Sequence, residues 1–176
     1  MAINFRCVLT GINVEGLLRQ LVENPQLWNY DDSWTRKKPT SSPIRVVDAV
    51  VLRFNEAPVW NRLAFSILTT AKDIVFDVMR AVPCEHLGKV IITRLMPGGI
   101  ISDHIDTMPP GVVPYWQRYQ VPLISGPDVI FRCGDDRISM QPGCAYWFNN
   151  QITHSVNNYG NTERLSMLID ARPFSE

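Results

Sequence analysis

The sequence predicts an α+β protein whose β part is a jelly roll. Three observations carry that prediction. Helical patterns fall in the first half of the chain, short apolar or alternating runs follow at close spacing from Lys89 onward, and turn residues separate those runs.

The elements follow in order. Asn13 to Asn24 sets Val14, Leu17, Leu18, Leu21 and Val22 at helical spacing, with Asn13 as the expected cap. Ser33 to Pro43 reads SWTRKKPTSSP, an irregular stretch suited to a loop near a binding site and too short to separate two domains. Ile44 to Phe54 is rich in Val and predicts a strand. Ala64 to Val82 carries Ile67, Leu68, Ala71, Ile74, Val75, Val78 and Met79, one helix with a broad apolar face. Strands are then expected at 90–95, 99–104, 119–124, 129–133, 138–140, 145–148, 154–156 and 165–169, with turns at Pro97-Gly98-Gly99, Ser125-Gly126-Pro127, Gly134-Asp135-Asp136, Gln141-Pro142-Gly143 and Asn157 to Asn161.

The chain has 176 residues, 45% of them apolar, and 17 Lys plus Arg against 17 Asp plus Glu. That length predicts one domain over 1–176, with a helical layer and first strand at 1–88 and the β core at 89–172. Zero net charge counts against a nucleic-acid partner, whose phosphates select a basic excess. The longest apolar candidate for a membrane span, Leu63 to Val82, is broken by Lys72, Asp73, Asp77 and Arg80, and the N-terminus lacks signal-peptide features. A soluble, cytoplasmic protein is therefore expected. Cys7, Cys84, Cys133 and Cys144 form no CxxC pair and are expected as buried reduced thiols rather than a zinc site.

Three histidines allow each to be weighed. His86 sits beside Glu85 ahead of the strands and reads as a surface residue. His104 lies in Ser102-Asp103-His104-Ile105-Asp106, and residues i and i+2 of a strand point to one side. An imidazole from His104 and a carboxylate from Asp106 can then aim at one point, and His154 opens another short β run 50 residues later. Two histidines and a carboxylate on one face of a metal leave the remaining positions open, as in non-haem iron(II) oxygenases. Arg164 follows on the next strand. Its neighbours Leu165, Met167 and Ile169 alternate as in a buried strand, which argues against a surface arginine on an edge strand, and a fixed guanidinium suits the distal carboxylate of 2-oxoglutarate.

Residues 93–172 resemble the aspartyl/asparaginyl β-hydroxylase-like branch of the 2-oxoglutarate oxygenases. The resemblance rests on Met96 to Asp106, Arg118-Tyr119-Gln120-Val121-Pro122-Leu123, Gly143 to Asn150, His154-Ser155-Val156-Asn157-Asn158 and Arg164 to Asp170, in that order. It implies a double-stranded β-helix (jelly roll, cupin-like) with N-terminal helices packed on one sheet. It implies Fe(II), 2-oxoglutarate as cosubstrate and O2, with ascorbate as a reductant, and hydroxylation of a C–H bond with release of succinate and CO2. By position it places Arg164 and Thr93 at the distal carboxylate, and Arg118 in the active site for substrate or the cosubstrate's other carboxylate. Gln120 departs from the family, which often has histidine there, and this puts an Asp or Asn side chain as substrate in doubt. Asp106 is present where some peptide hydroxylases of the branch lack the carboxylate, and it argues against a halogenase.

The expected partner is a small-molecule or peptide substrate, an amino acid or a peptidyl side chain, with the oligomeric state open. Two rivals are an oxygenase acting on nucleic acid, kept alive by Arg36-Lys37-Lys38, and a non-catalytic cupin-like binding module. Tyr115 and Trp116, after Met108-Pro109-Pro110-Gly111, are candidates for the pocket edge. Trp34, Arg36 and Arg53 are weaker candidates for substrate contact.

Overall fold

In the computed structural model, residues 4–32, 42–54, 60–106 and 116–174 are described. The expected loop at 33–43 falls almost wholly outside them, with Trp34, Arg36, Lys37 and Lys38, as do Met108 to Tyr115.

Eleven strands and three helices are assigned among the described residues. Strand β1 is Phe5–Leu9, helix α1 Glu15–Glu23, β2 Asp48–Phe54, β3 Trp60–Asn61, α2 Leu63–Ile67 and α3 Thr70–Ala81. The β-rich part supplies β4 Cys84–Leu95, β5 Ile100–His104, β6 Gln117–Ile124, β7 Val129–Cys133, β8 Asp136–Ile138, β9 Ala145–Phe148, β10 His154–Asn158 and β11 Arg164–Pro173. Seven strands form one sheet in the order β1-β9-β6-β11-β4-β2-β3, and four form a second in the order β5-β10-β7-β8. This is the jelly roll that the spacing of strands and turns predicted, and the double-stranded β-helix that the family resemblance implied.

Three layers explain the pattern of burial. The helices pack through Leu17, Leu21, Ile74, Val75 and Val78 on one face of the seven-stranded sheet, against Val90, Ile92, Val121, Met167 and Ile169. The opposite face meets the four-stranded sheet through Val51, Ile91, Leu95, Ile101, Phe131, Phe148 and Val156. A sheet covered on both faces has no solvent side, so its central strands read as nearly continuous apolar runs. Where polar residues interrupt β11, they point into the space between the sheets. That is where the site lies.

Five findings depart from expectation. The Val-rich stretch from Ile44 does not start as a strand: Pro43–Val46 is a 3-10 turn and β2 begins at Asp48. The helix over 64–82 is two helices, because Leu68 leaves helical geometry at φ −83° and ψ 68°. There the Gln20 carboxamide oxygen accepts the Thr70 backbone N–H at 3.1 Å and the Thr70 hydroxyl at 2.7 Å. These bonds cap α3 from α1 and replace the bonds that a continuous helix would have made. Asn13 acts one position early, with its side chain accepting the Glu15 N–H at 3.1 Å. Strand β1 was not expected; it pairs antiparallel with β9, Phe5 opposite Phe148 and Cys7 opposite Tyr146. The four cysteines are unpaired, but of these Cys133 is buried and Cys7 is exposed, against the expectation of four buried thiols.

The turn before β5 shows why its glycines are needed. Gly98 adopts φ +73°, a left-handed conformation that glycine takes without a side-chain clash. A Cβ at Gly99 would lie 2.8 Å from the Met96 carbonyl oxygen. Asn158, at the end of β10, is 1% exposed and donates its side-chain N–H to the carbonyls of Leu95 and Thr162. The turn and β10 are thereby held together at the far end from the histidines.

Candidate metal and cosubstrate site

Strands β5 and β10 pair antiparallel with His154 opposite His104. That register brings the two rings to a centroid distance of 4.2 Å. Asp106 lies two residues beyond His104, and its backbone N–H donates to the Asn150 carbonyl at 3.1 Å. One ligand atom from each of His104, Asp106 and His154 lies within 4.8 Å of the others. The His154 Nε2 to Asp106 Oδ2 distance is 3.6 Å.

Hydrogen bonds set which ring nitrogen is available. His104 Nδ1 is 2.8 Å from the Ser102 carbonyl oxygen, and His154 Nδ1 is 2.9 Å from that of Ile152. A carbonyl only accepts, so each neutral ring carries its proton on Nδ1 and presents an Nε2 lone pair. His154 is 3% exposed and packs against Phe131 and Phe148. Burial holds its pKa below the ordinary imidazole value, against the opposing pull of Asp106. For Asp106, burial raises the pKa, but the nearby charges of Arg118 and the histidines outweigh it and hold the carboxyl below its usual range. Two neutral imidazoles and a carboxylate are the donor set that suits a ferrous ion. Cys133 is the register partner of His154 on β7, and its thiol is pushed up to about 11, chiefly by burial, so it remains protonated at neutral pH.

Arg118 on β6 was expected to face substrate or cosubstrate, and its contacts are with protein carboxylates. Its Nε and Nη2 donate to the two oxygens of Asp170 at 2.7 and 2.9 Å, and its Nη1 pairs with Asp106 Oδ2. The Lys89 ammonium lies 3.7 Å from Asp170. Trp116, described at the entrance to β6, lies over Gly88, where a Cβ would come within 2.5 Å of the indole ring. Glycine is required there by that close approach.

Arg164 sits deeper between the sheets. It is 3% exposed, and β11 runs between β6 and β4 rather than along an edge. Its polar contact is a long hydrogen bond, Nη2 to Gln120 Oε1 at 3.4 Å, and no carboxylate among the described residues lies within ion-pair distance. Burial lowers its pKa to about 10. A buried cation without a counter-ion is costly unless an anion meets it, and a guanidinium fork matches a carboxylate. Thr93 and Ser166 are register partners on β4 and β11, and the Thr93 hydroxyl donates to the Ser166 carbonyl at 3.3 Å. Gln120 also accepts from the Ser166 hydroxyl, which ties the residue that departs from the family to the arginine pocket.

Asp170, Ser166 and Lys89 were not singled out from the sequence. The signal for Asp170 was available: it shares the parity of Arg164, Ser166 and Leu168 on β11, so it faces the site. Arg53 instead donates to the Leu87 carbonyl and to the Asn61 side-chain oxygen. A broad concavity on the outer face of the four-stranded sheet, lined by residues including Ile100, Arg132, Arg137 and Asn157, contains none of the candidate ligands.

A jelly roll with two histidines and an aspartate converging, and a buried arginine with no carboxylate partner among the described residues deeper in the same space, defines the class of non-haem iron oxygenases. The sequence matches the family described as Aspartyl/Asparaginyl beta-hydroxylase over residues 59–173. The chain belongs to that family, and with it to the Fe(II)- and 2-oxoglutarate-dependent dioxygenases. No curated protein matches it in sequence. Among solved structures it is similar to a prolyl hydroxylase from Trichoplax adhaerens in complex with a hypoxia-inducible-factor oxygen-degradation-domain peptide fragment, at 10% identity and TM-score 0.62, covering 96% of this chain and 83% of that one. It is also similar to the viral collagen prolyl hydroxylase of Paramecium bursaria Chlorella virus-1, at 9% identity and TM-score 0.58, covering 99% and 98%. A third is the non-haem α-ketoglutarate-dependent epimerase SnoN of nogalamycin biosynthesis, at 14% identity and TM-score 0.61, covering 97% and 78%. At these identities the likenesses establish the fold. No described helix is long and apolar enough to cross a membrane.

Proposed function

We propose that the protein hydroxylates an amino acid or a peptidyl side chain at a ferrous centre held by His104, Asp106 and His154, with 2-oxoglutarate anchored by Arg164. The convergence of the three ligand atoms within 4.8 Å is the observation that carries this reading. The reading treats residues 1–176 as one catalytic unit.

When bound, the ferrous ion with 2-oxoglutarate and O2 supplies the oxidising power for C–H hydroxylation, with succinate and CO2 released and ascorbate keeping the metal reduced. The chain's own residues supply position and environment. His104 and His154 offer Nε2 lone pairs because their Nδ1 protons are engaged by backbone carbonyls. Asp106 supplies the negative charge. Arg164 takes the distal carboxylate of the cosubstrate, with Thr93 beside it. Phe131 and Phe148 close the apolar floor under His154 and exclude water from it.

An amino acid or peptide fits the family and the peptide-bound prolyl hydroxylase among the structural neighbours. Turnover of 2-oxoglutarate to succinate, measured with ferrous ion and ascorbate over free amino acids and Asp-, Asn- and Pro-containing peptides, tests the proposal. One class should stimulate succinate formation and gain 16 mass units, about one oxygen atom. Stimulation by oligonucleotides alone would overturn it.

A further inference from the structure

We propose that Asp170 is a positioning residue for the metal centre, acting through Arg118 on the ligand Asp106. The inference rests on the reading that Asp106 is a metal ligand.

Asp170 and Arg118 are register partners on the central strands β11 and β6, both pointing into the space between the sheets. Asp170 is 2% exposed and Arg118 is 8% exposed. An arginine has several rotatable bonds, and a buried one without an anchor has no fixed direction. Here the two oxygens of Asp170 take Nε and Nη2 at 2.7 and 2.9 Å, the fork geometry that fixes a guanidinium plane. With that edge occupied, Nη1 meets Asp106 Oδ2. The chain of contacts therefore runs from the Lys89 ammonium through Asp170 and Arg118 to Asp106, with charges alternating along it.

This arrangement has a consequence for Asp106. A carboxylate just beyond the end of a strand can rotate about its side-chain bonds, and a ligand must be held in one pose. Arg118 holds one oxygen in place and balances its charge, while Asp170 keeps Arg118 from turning toward anions that enter the pocket. Partners of metal ligands commonly contribute about 10- to 100-fold to metal affinity or activity. The competing explanation is that Asp170 only neutralises Arg118 and Lys89 for the sake of the fold.

Manganese(II) affinity of the full chain, read by electron paramagnetic resonance well below the melting temperature, separates the two. Asp170→Asn and Arg118→Gln should each weaken Mn(II) binding about 10-fold or more. The double variant should bind no more weakly than Arg118→Gln alone, because Asp170 acts only through Arg118. Asp170→Glu keeps the charge and lengthens the side chain; it should also bind Mn(II) more weakly, in a protein whose circular dichroism is unchanged. It carries the same test if Asp170→Asn does not fold. Wild-type affinity in either folded Asp170 variant, or losses that add in the double variant, would overturn the inference. Failure of the wild-type protein to bind Mn(II) would instead overturn the functional reading, and this inference with it.

Discussion

Arg164 is a guanidinium at 3% exposure whose partner is a neutral amide oxygen at 3.4 Å. The fold bears the desolvation of that charge without an ion pair to offset it. Arg164→Met should therefore leave the ligand-free protein as stable as wild type, or more so, in thermal melts. Truncating one side of a buried charge pair costs about 2–5 kcal/mol, so calorimetric titration in the presence of Mn(II) should show 2-oxoglutarate affinity reduced on the order of 100-fold.

His154 makes a second residue-level prediction. Its folded pKa lies below the ordinary 6.5, so its neutral form favours the fold fully above pH 6.5 and that contribution is lost as pH falls through the depressed value. Urea unfolding from pH 8 to 5 should show metal-free wild type losing stability below about 6.5 relative to His154→Gln, and a constant difference between the two would contradict the assignment. The triad was legible in the sequence because the spacing of His104 and Asp106 is local, although β5 ends at His104 and Asp106 lies just beyond it rather than on the strand. The Arg118 contacts were not, because Asp170 lies 52 residues from Arg118 and only register joins them.

Strand β11 links the layers. Met167 and Ile169 face the helices, while Arg164, Ser166 and Asp170 face the site. Ile169→Ala should destabilise the fold by about 2–5 kcal/mol in denaturant unfolding, the usual range for a fully buried Ile. The strands from β4 onward were readable because their apolar runs are bounded by Gly, Pro and Asn. Strand β1 was not: FRCVL has a burial pattern without clean alternation, as an edge strand permits, and its partner β9 is far away in sequence. The break at Leu68 was hidden because apolar spacing continues across it, while the cap that permits it comes from Gln20 on another helix.

At the scale of the molecule, helices cover one face of the large sheet and the small sheet covers the other, so the site lies between the two sheets. Ligands that bind only the folded state stabilise it by about 2.7 kcal/mol at 100 times their dissociation constant. For a chain of this size that corresponds to a rise of roughly 5–10 °C in melting temperature with Mn(II) at that excess. The rise should vanish with a chelator and in His104→Ala.

The assignment of His104, Asp106 and His154 as the metal site is tested by anaerobic calorimetric titration with ferrous ion. One ferrous ion should bind per chain, binding should be lost in His154→Ala, and Arg164→Met should keep the metal while taking up 2-oxoglutarate about 100-fold more weakly. Ferrous binding of wild-type strength in His154→Ala, or none in the wild-type protein, would contradict it.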